Sequence, residues 1–389
     1  MTERSNMPLA GLRVIDISTV VAGPNCARYL ADFGADVIKV EKPGGDSLRQ
    51  MAWTDGRDGE GMWWKLANRN KRNVVLDLKD PADLDVLLRL VDGANVIVEN
   101  FRPGTLERLG LGPDVLLARN ERLVITRVSG FGQTGPYAQR PGFATIAEAM
   151  SGFAAINGEP DGQPLLPPIA LTDEVTGIAS AFATMVAIHS GRGQVVDVNL
   201  LETMFHLMGP LPSLFALTGQ QQPRLGAGLP YSVPRGTYRC ADGRWVGVST
   251  SSDTVAARVM ALLGIGDDPS YATFAGRMHH REDIERLMGE WCAARTSQQV
   301  LDAFTEAHAA VGLVMDMADI AADGHYRSRG TIIPVPSERG PEQESSVTPM
   351  QALIARLSAT PGAVRWAGRP LDADGPSIRD RGWNVFEPT

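Results

Sequence analysis

Cysteine is scarce in this chain: Cys26, Cys240 and Cys292 are an odd number of thiols at wide spacing, so neither a disulfide framework nor a CxxC zinc site is indicated. Cys26 falls near the start of an expected helix and reads as a small buried hydrophobe rather than a reactive thiolate. Of the six histidines, His279 and His280 are adjacent and the others lie far apart, which leaves no pair at helical metal-ligand spacing. Positive charge is also short, with a net charge of −8 and a pI near 5.4, and this argues against a nucleic-acid or anionic-membrane surface. The opening MTERSNMPLAGLRVID has no long apolar core of a signal peptide, and the apolar stretches are interrupted by Gly, Pro or polar residues. A cytoplasmic, reducing location is expected.

Several common catalytic signatures are missing as well. The first strand-to-helix turn reads STVVAGPNCA and lacks the GxGxxG dinucleotide fingerprint; Walker A, GxSxG and HExxH sequences are absent. Nicotinamide, NTPase, serine-hydrolase and zinc-protease chemistry lose their support, and neither a metal nor a tightly bound cofactor is expected.

What is present is a soluble composition, 43% hydrophobic and 21% charged over 389 residues, long enough for two or three structural units. LRVIDI, a turn, the helical NCARYLADFG closed by Gly34, and ADVIKVE form a βαβ pattern. NVVLDL, the helix KDPADLDVLLRLVDG with Asp80 as its cap, ANVIVENF, the helical GTLERLGLGPDVLLARN and LVITRVSGFG continue the alternation. The expectation is an α/β fold: a doubly wound, Rossmann-like large domain over 1–208. Its later part, 143–207, reads as mostly helical, with a strand at QVVDVNL. A Pro- and Gly-rich linker is expected over 209–236 and a smaller α+β domain over 237–330. The small domain would open on a hairpin turning at Asp242-Gly243, and one helix face would carry Ile284, Leu287, Met288 and Trp291. Thr296 and Gln299 form a capping box for the next helix. A second Pro- and charge-rich stretch, IPVPSERGPEQESSV, begins the remainder, 331–389, a linker and C-terminal segment expected to return to the large domain.

All five lysines, Lys39, Lys42, Lys65, Lys71 and Lys79, fall in the first 79 residues, an ammonium-rich segment suited to phosphate groups. The leading candidate for a reacting group is Asp173, in LLPPIALTDEVTGIASAFATMVAI. A carboxylate flanked by so much apolar sequence is expected to be partly desolvated, which raises the energy of its charged form and makes it a better nucleophile or base. The bland alternative is that Asp173, or Thr172 before it, caps the helix starting there.

The ordered set AGP, VIKVEKPGGD, NRNKRNVVLDLK, VENFRPGTLERLG, VSGFGQTGPY, RPGFATIAEAMSG and LTDEVTG resembles the family III coenzyme A transferases, the superfamily of formyl-CoA transferase, carnitine-CoA transferase and acyl-CoA racemase. The resemblance is close over the first 205 residues and looser in the small domain. It implies that Asp173 is the nucleophile and that Val21 and Ala22 offer backbone contacts to the coenzyme. Lys42 would lie near the nucleotide phosphates, Leu76 to Lys79 would hold the adenine, Asn100, Phe101 and Arg102 would run along the coenzyme, and Arg108 would add a phosphate contact. The physical logic agrees, because a polyanionic nucleotide wants Lys or Arg near strand ends and helix N-termini.

The resemblance further implies acyl-CoA and small carboxylic acids as substrates, CoA transfer through mixed-anhydride and aspartyl-CoA thioester intermediates, and an interlocked homodimer. Relatives shield the site with a glycine-rich loop, whereas the matching STSSDT (249–254) has no glycine. Ala144 stands where RPGF is commonly followed by an acid, so no role is carried over to it. The competing activity, α-carbon epimerisation of an acyl-CoA, needs a second base at the position of Phe143, and a phenyl ring exchanges no proton. A noncatalytic CoA-binding protein, with Asp173 only a cap, is the remaining alternative.

Overall fold

A computed structural model describes residues 6–250, 252–337 and 346–387. The chain divides into two compact units, one made of Met1–Ser151, Pro167–Met208 and Tyr326–Thr389, the other of Gly152–Leu166 and Gly209–His325.

The first unit is built on six strands: β1 (Arg13–Asp16), β2 (Asp36–Glu41), β3 (Arg72–Val75), β4 (Val96–Glu99), β5 (Val124–Ser129) and β6 (Gln194–Asn199). They pair in parallel in the order β3-β2-β1-β4-β5-β6, so the chain direction across the sheet reverses between β1 and β4. The two-residue period of the strands sends Ile15, Ile38, Ile97 and Ile125 to one face. Val14, Val37, Val96 and Val124 go to the other. Helices cover both faces, and each fully buried aliphatic side chain contributes about 1.5–3 kcal/mol.

Several expected boundaries shift for local reasons. The first helix runs from Ala22 to Asp32, three residues ahead of NCARYLADFG, because Pro24 fits a first helical turn. Gly34 follows it with φ +107, and a Cβ there would lie 2.4 Å from Met7 Cβ. Asp80 caps Pro81–Asp92 by accepting from the Ala82 N–H, as its sequence suggests. GTLERLGLGPDVLLARN forms two short helices, Thr105–Arg108 and Pro113–Arg119, because Gly110 takes a φ of +74 between them.

The long helix, Leu171–His189, buries a face of small residues: Thr172, Thr176, Gly177, Ser180, Ala181, Thr184 and Ala187. It packs against the first helix. A Cβ on Gly177 would lie 2.8 Å from Asn25 Cβ and 3.2 Å from the Ala22 carbonyl oxygen, so only glycine permits this approach. By length and composition alone this helix could span a membrane, although it begins with Asp173 and Glu174.

The lysine-rich segment behaves differently from the expectation of a phosphate surface. Lys39, Lys65 and Lys71 are each only 1% exposed and are matched by carboxylates. Lys71 Nζ lies 2.8 Å from Asp16, Lys39 Nζ lies 3.6 Å from Asp16 and 3.5 Å from Asp46, and Lys65 Nζ lies 2.7 Å from Asp55. Buried ammonium groups require such partners, so only Lys42 and Lys79 remain at the surface.

β10 (Ile332–Ser337) and β11 (Ser346–Gln351) form an antiparallel pair from the two ends of IPVPSERGPEQESSV; its middle, 338–345, lies outside the described residues. Farther on, Ile378, Trp383, Val385 and Phe386 pack into the core that contains Ile15.

In the second unit, β7 (Arg235–Arg239) and β8 (Trp245–Ser249) form the expected hairpin, with Gly243 at φ +79, and β9 (Ala310–Leu313) adds a third antiparallel strand. Its core collects Val246, Val248, Ile284, Met288, Cys292, Val300 and Phe304. The Thr296/Gln299 capping box forms. Leu287 and Trp291 are only half-buried, and Cys292 takes the central place on that helix face. The stretch 209–236, read as an extended linker, holds a helix, Leu211–Thr218, that stops at Gly219 with φ +71.

Candidate active site

Asp173 occupies the third position of the long helix. The helix is preceded by Ala170, and no side chain caps it, so the capping alternative fails for both residues that could have served. The Thr172 hydroxyl is engaged elsewhere, donating to Glu148 Oε1 at 2.8 Å. Glu148 lies on the short helix Ala144–Met150 and is 4% exposed. Glu174, next to Asp173, accepts from Arg28 Nη2 at 3.3 Å and from the Tyr29 hydroxyl at 3.2 Å, both on the first helix.

Neither Asp173 nor Glu148 has an ion-pair partner among the described residues. Burial first, then the charges of Glu148 and Glu174, push the Asp173 carboxyl up to about 6, against the pull of a helix N-terminus toward ionisation. A half-buried carboxylate without a cation is a strong nucleophile once deprotonated. Cys26 and Cys292 are poor competitors, since burial pushes each thiol up to about 12.

Sequence reading missed Glu148. The available signal was its place in RPGFATIAEAMSG, one helical turn beyond Ala144 and therefore on the same helix face.

The first helix is approached through a tightly held loop, Ser18 to Val21. Asn100 accepts from the Thr19 N–H at 2.8 Å and donates to the Thr19 carbonyl at 2.6 Å. Asp46 accepts from the Val20 N–H at 3.4 Å, Lys39 donates to the Ser18 carbonyl, and Asp16 accepts from the Ser18 N–H at 3.0 Å. These bonds hold Val20 at φ +65, a costly conformation for a β-branched residue that persists only where its surroundings over-determine it. Burial raises the energy of the Asp16 charge, but Lys39 and Lys71 outweigh it and hold the carboxyl below its ordinary range. Asn100, expected along the coenzyme, has its side-chain amide committed to Thr19, because the two loops at the ends of β1 and β4 face each other.

A cavity of about 200 Å³ opens at the carboxyl ends of β1 to β4, where the strand order reverses. Lys42, Leu76, Lys79 and Phe101 line it together with Ile17 and Thr19. Four of the expected residues thus come together in one apolar slot with two ammonium groups at its rim, at the place where open α/β sheets bind ligands. Lys42 also borders a second cavity of about 580 Å³ formed with Gly44 and Gly45, both at positive φ. Val21 and Ala22 are 2% and 4% exposed, and Ala22 begins the first helix. Arg102 and Arg108 are exposed and do not line the slot; Arg108 Nη2 donates to Thr105 Oγ1 at 2.8 Å.

Phe143 is 68% exposed, and Ala144 is the first residue of its helix. In the second unit, Thr250 of STSSDT donates to the Pro234 carbonyl at 2.9 Å and accepts from the Ser232 hydroxyl at 3.1 Å, while Ser252 caps the next helix. Ser251 lies outside the described residues. Among the described residues no three His, Cys, Asp or Glu side chains gather into a metal-binding group.

A family model described as CoA-transferase family III matches residues 9–374. Succinyl-CoA–D-citramalate CoA-transferase of Chloroflexus aurantiacus is 38% identical over 379 residues, 95% of this chain and 92% of that protein. Succinate–glutarate CoA-transferase of Agrobacterium fabrum is 35% identical over 357 residues, covering 87% of this chain and 88% of its own. Among solved structures, a CaiB/BaiF family protein from Brucella suis superposes with a TM-score of 0.83 at 29% identity, covering 96% of this chain and 99% of that one.

Proposed function

The chain belongs to CoA-transferase family III and is a CoA-transferase, and we propose that it moves coenzyme A through covalent intermediates on Asp173. The observation that carries this reading is the environment of that carboxylate: half-buried in the first turn of a long helix that no side chain caps, beside a second acid and, among the described residues, without a cation.

The Asp173 carboxylate attacks the thioester carbonyl of the donor. A C–O bond forms, the C–S bond breaks, and CoA thiolate leaves a mixed anhydride behind. The thiolate then attacks the Asp173 acyl carbon, releasing the donor acid as its carboxylate and leaving an aspartyl-CoA thioester. The acceptor carboxylate attacks that thioester, and the thiolate returns to the acceptor's carbonyl carbon, restoring Asp173. No proton is transferred at any step, so the site needs a nucleophile, oxyanion donors and exclusion of water rather than an acid–base pair. The Thr172 and Asp173 N–H groups, in the first turn of the long helix, are suited to the oxyanion.

The coenzyme takes the slot of Lys42, Leu76, Lys79 and Phe101 with its nucleotide, passes the Val21–Ala22 backbone, and meets Arg102 and Arg108 outside the slot. The exposed Lys42 and Lys79 supply charge for its phosphates. The relatives named for succinyl-CoA and D-citramalate and for succinate and glutarate support succinyl-CoA as donor and a dicarboxylic acid as acceptor. Exposed Ile178, Phe182 and Val186 on one face of the long helix support a homodimer, interlocked as the family resemblance implies, which light scattering would test. The acidic charge and buried thiols fit a cytoplasmic location.

The test is intact-mass analysis after incubation with succinyl-CoA and a panel of other acyl-CoAs, with Asp173→Ala as control. A hydroxylamine-labile CoA adduct mapped to Asp173, and lost in the variant, is expected. Transfer that persists in Asp173→Ala would overturn the assignment.

A further inference from the structure

Resting on the reading of Asp173 as nucleophile, we propose that Glu148 is its positioning residue: a charge left unanswered in order to lift the free Asp173 carboxylate toward the energy of its acylated states. Several carboxylates buried elsewhere in the first unit have cations. Asp32 meets Arg69 at 2.6 Å, Glu41 meets Arg49 at 2.8 Å, Glu99 meets Arg127 at 2.6 Å and Asp374 meets Arg72 at 2.7 Å. Glu148 is similarly buried, and among the described residues its side chain has only the Thr172 hydroxyl. That hydroxyl belongs to the residue preceding Asp173, so one short hydrogen bond fixes the second carboxylate against the reacting turn.

The other charges around this turn do not play the same part. Glu174, on the long helix itself, is answered by Arg28 and the Tyr29 hydroxyl of the first helix. The unanswered neighbour is Glu148, on the short helix. Burial and then Glu148 lead the causes that push the Asp173 carboxyl upward.

The chemistry uses this repulsion. As Asp173 attacks, its negative charge leaves with the thiolate, so the repulsion from Glu148 is relieved in the step that forms the C–O bond. When the thiolate finally departs with the acceptor, the repulsion returns. An anhydride or thioester lies far above an ordinary carboxylate, and lifting the free carboxylate narrows that gap, which suits a sequence of reversible exchanges. Glu148 takes no proton and forms no bond to substrate.

The test reads the rate of CoA adduct formation on Asp173 by rapid quench and intact mass between pH 4.5 and 8, with thermal melts confirming the fold. The wild-type rate is expected to fall on the acid side with a midpoint near 6. Glu148→Gln keeps an acceptor for Thr172 and removes the charge; the midpoint should drop by about one pH unit and the plateau rate by about tenfold. Glu148→Asp should restore both. If Glu148→Gln does not fold, Glu148→Leu replaces the buried charge with an apolar side chain and should give the same downward shift. An acid limb coincident with wild type in a folded, charge-free variant overturns the role of Glu148 while leaving Asp173 as nucleophile; absence of any adduct in wild type overturns the covalent reading itself.

Discussion

Asp16 and Asp173 belong to the same unit, one at the end of β1 and the other in the first turn of the helix that packs on its neighbour. Asp16 is fully buried between Lys39 and Lys71, and its carboxyl is held below its ordinary range. Asp173 is half-buried between Glu148 and Glu174, and its carboxyl is pushed up to about 6. Burial disfavours both charges; the sign of the neighbours decides the outcome. Matched charges fix the Ser18–Val21 loop and the strained Val20, whereas the acids around Asp173 leave its carboxyl raised. Burial of an acid is therefore no evidence of chemistry until its partners are counted.

The sharpest way to break this contrast is to delete each acid's defining feature. On the proposed covalent route, Asp173→Ala should lower turnover by about 10⁴-fold or more in a steady-state transferase assay. Lys71→Met strips Asp16 of one of its cations and should cost about 3–5 kcal/mol by urea unfolding, since it leaves a buried charge less compensated. A loss below about 1 kcal/mol would mean that Lys39 alone suffices.

Gly177→Ala tests the surface between the two helices. Its Cβ would meet Asn25 and the Ala22 carbonyl, so about 1–3 kcal/mol of stability should disappear together with activity. Asp173→Asn goes the opposite way. Relative to an unfolded value near 3.8, the folded carboxyl at about 6 makes ionised Asp173 a liability that is full above pH 6 and absent below about 4. After allowance for partial exposure, the amide should therefore stabilise the protein by about 1–2 kcal/mol at pH 7 and by nothing at pH 4 in paired melts. The smallest effect belongs to the slot: on the proposed phosphate contact, Lys79→Ala should raise KM for acyl-CoA about fivefold with kcat little changed.

Much of this was legible in the linear text. The strand and helix alternation, the Asp80 cap, the Thr296 capping box and the Asp242-Gly243 hairpin depend on residues a few positions apart; the caps and the hairpin appear where turn chemistry puts them, and the alternation appears with shifted boundaries. Asp173, Lys42, Leu76, Lys79 and Phe101 could be named from ordered motifs. The fate of the lysines could not. Lys39, Lys65 and Lys71 look like Lys42 in sequence, and only the carboxylates folded around them make them structural. Asn100 likewise bonds to Thr19, 81 positions away. Glu148 was hidden for the same reason, since its meaning comes from Thr172 across the chain.

By itself, then, the sequence determined the parallel α/β framework, the family and the identity of the carboxylate to suspect, because local propensity, hydrophobic period and motif order are properties of neighbouring residues. Only the tertiary structure decided which charges are paired, which glycine lets two helices touch and which second acid stands beside Asp173. Desolvation and Coulomb interaction depend on distance in space, and distance along the chain carries no record of them.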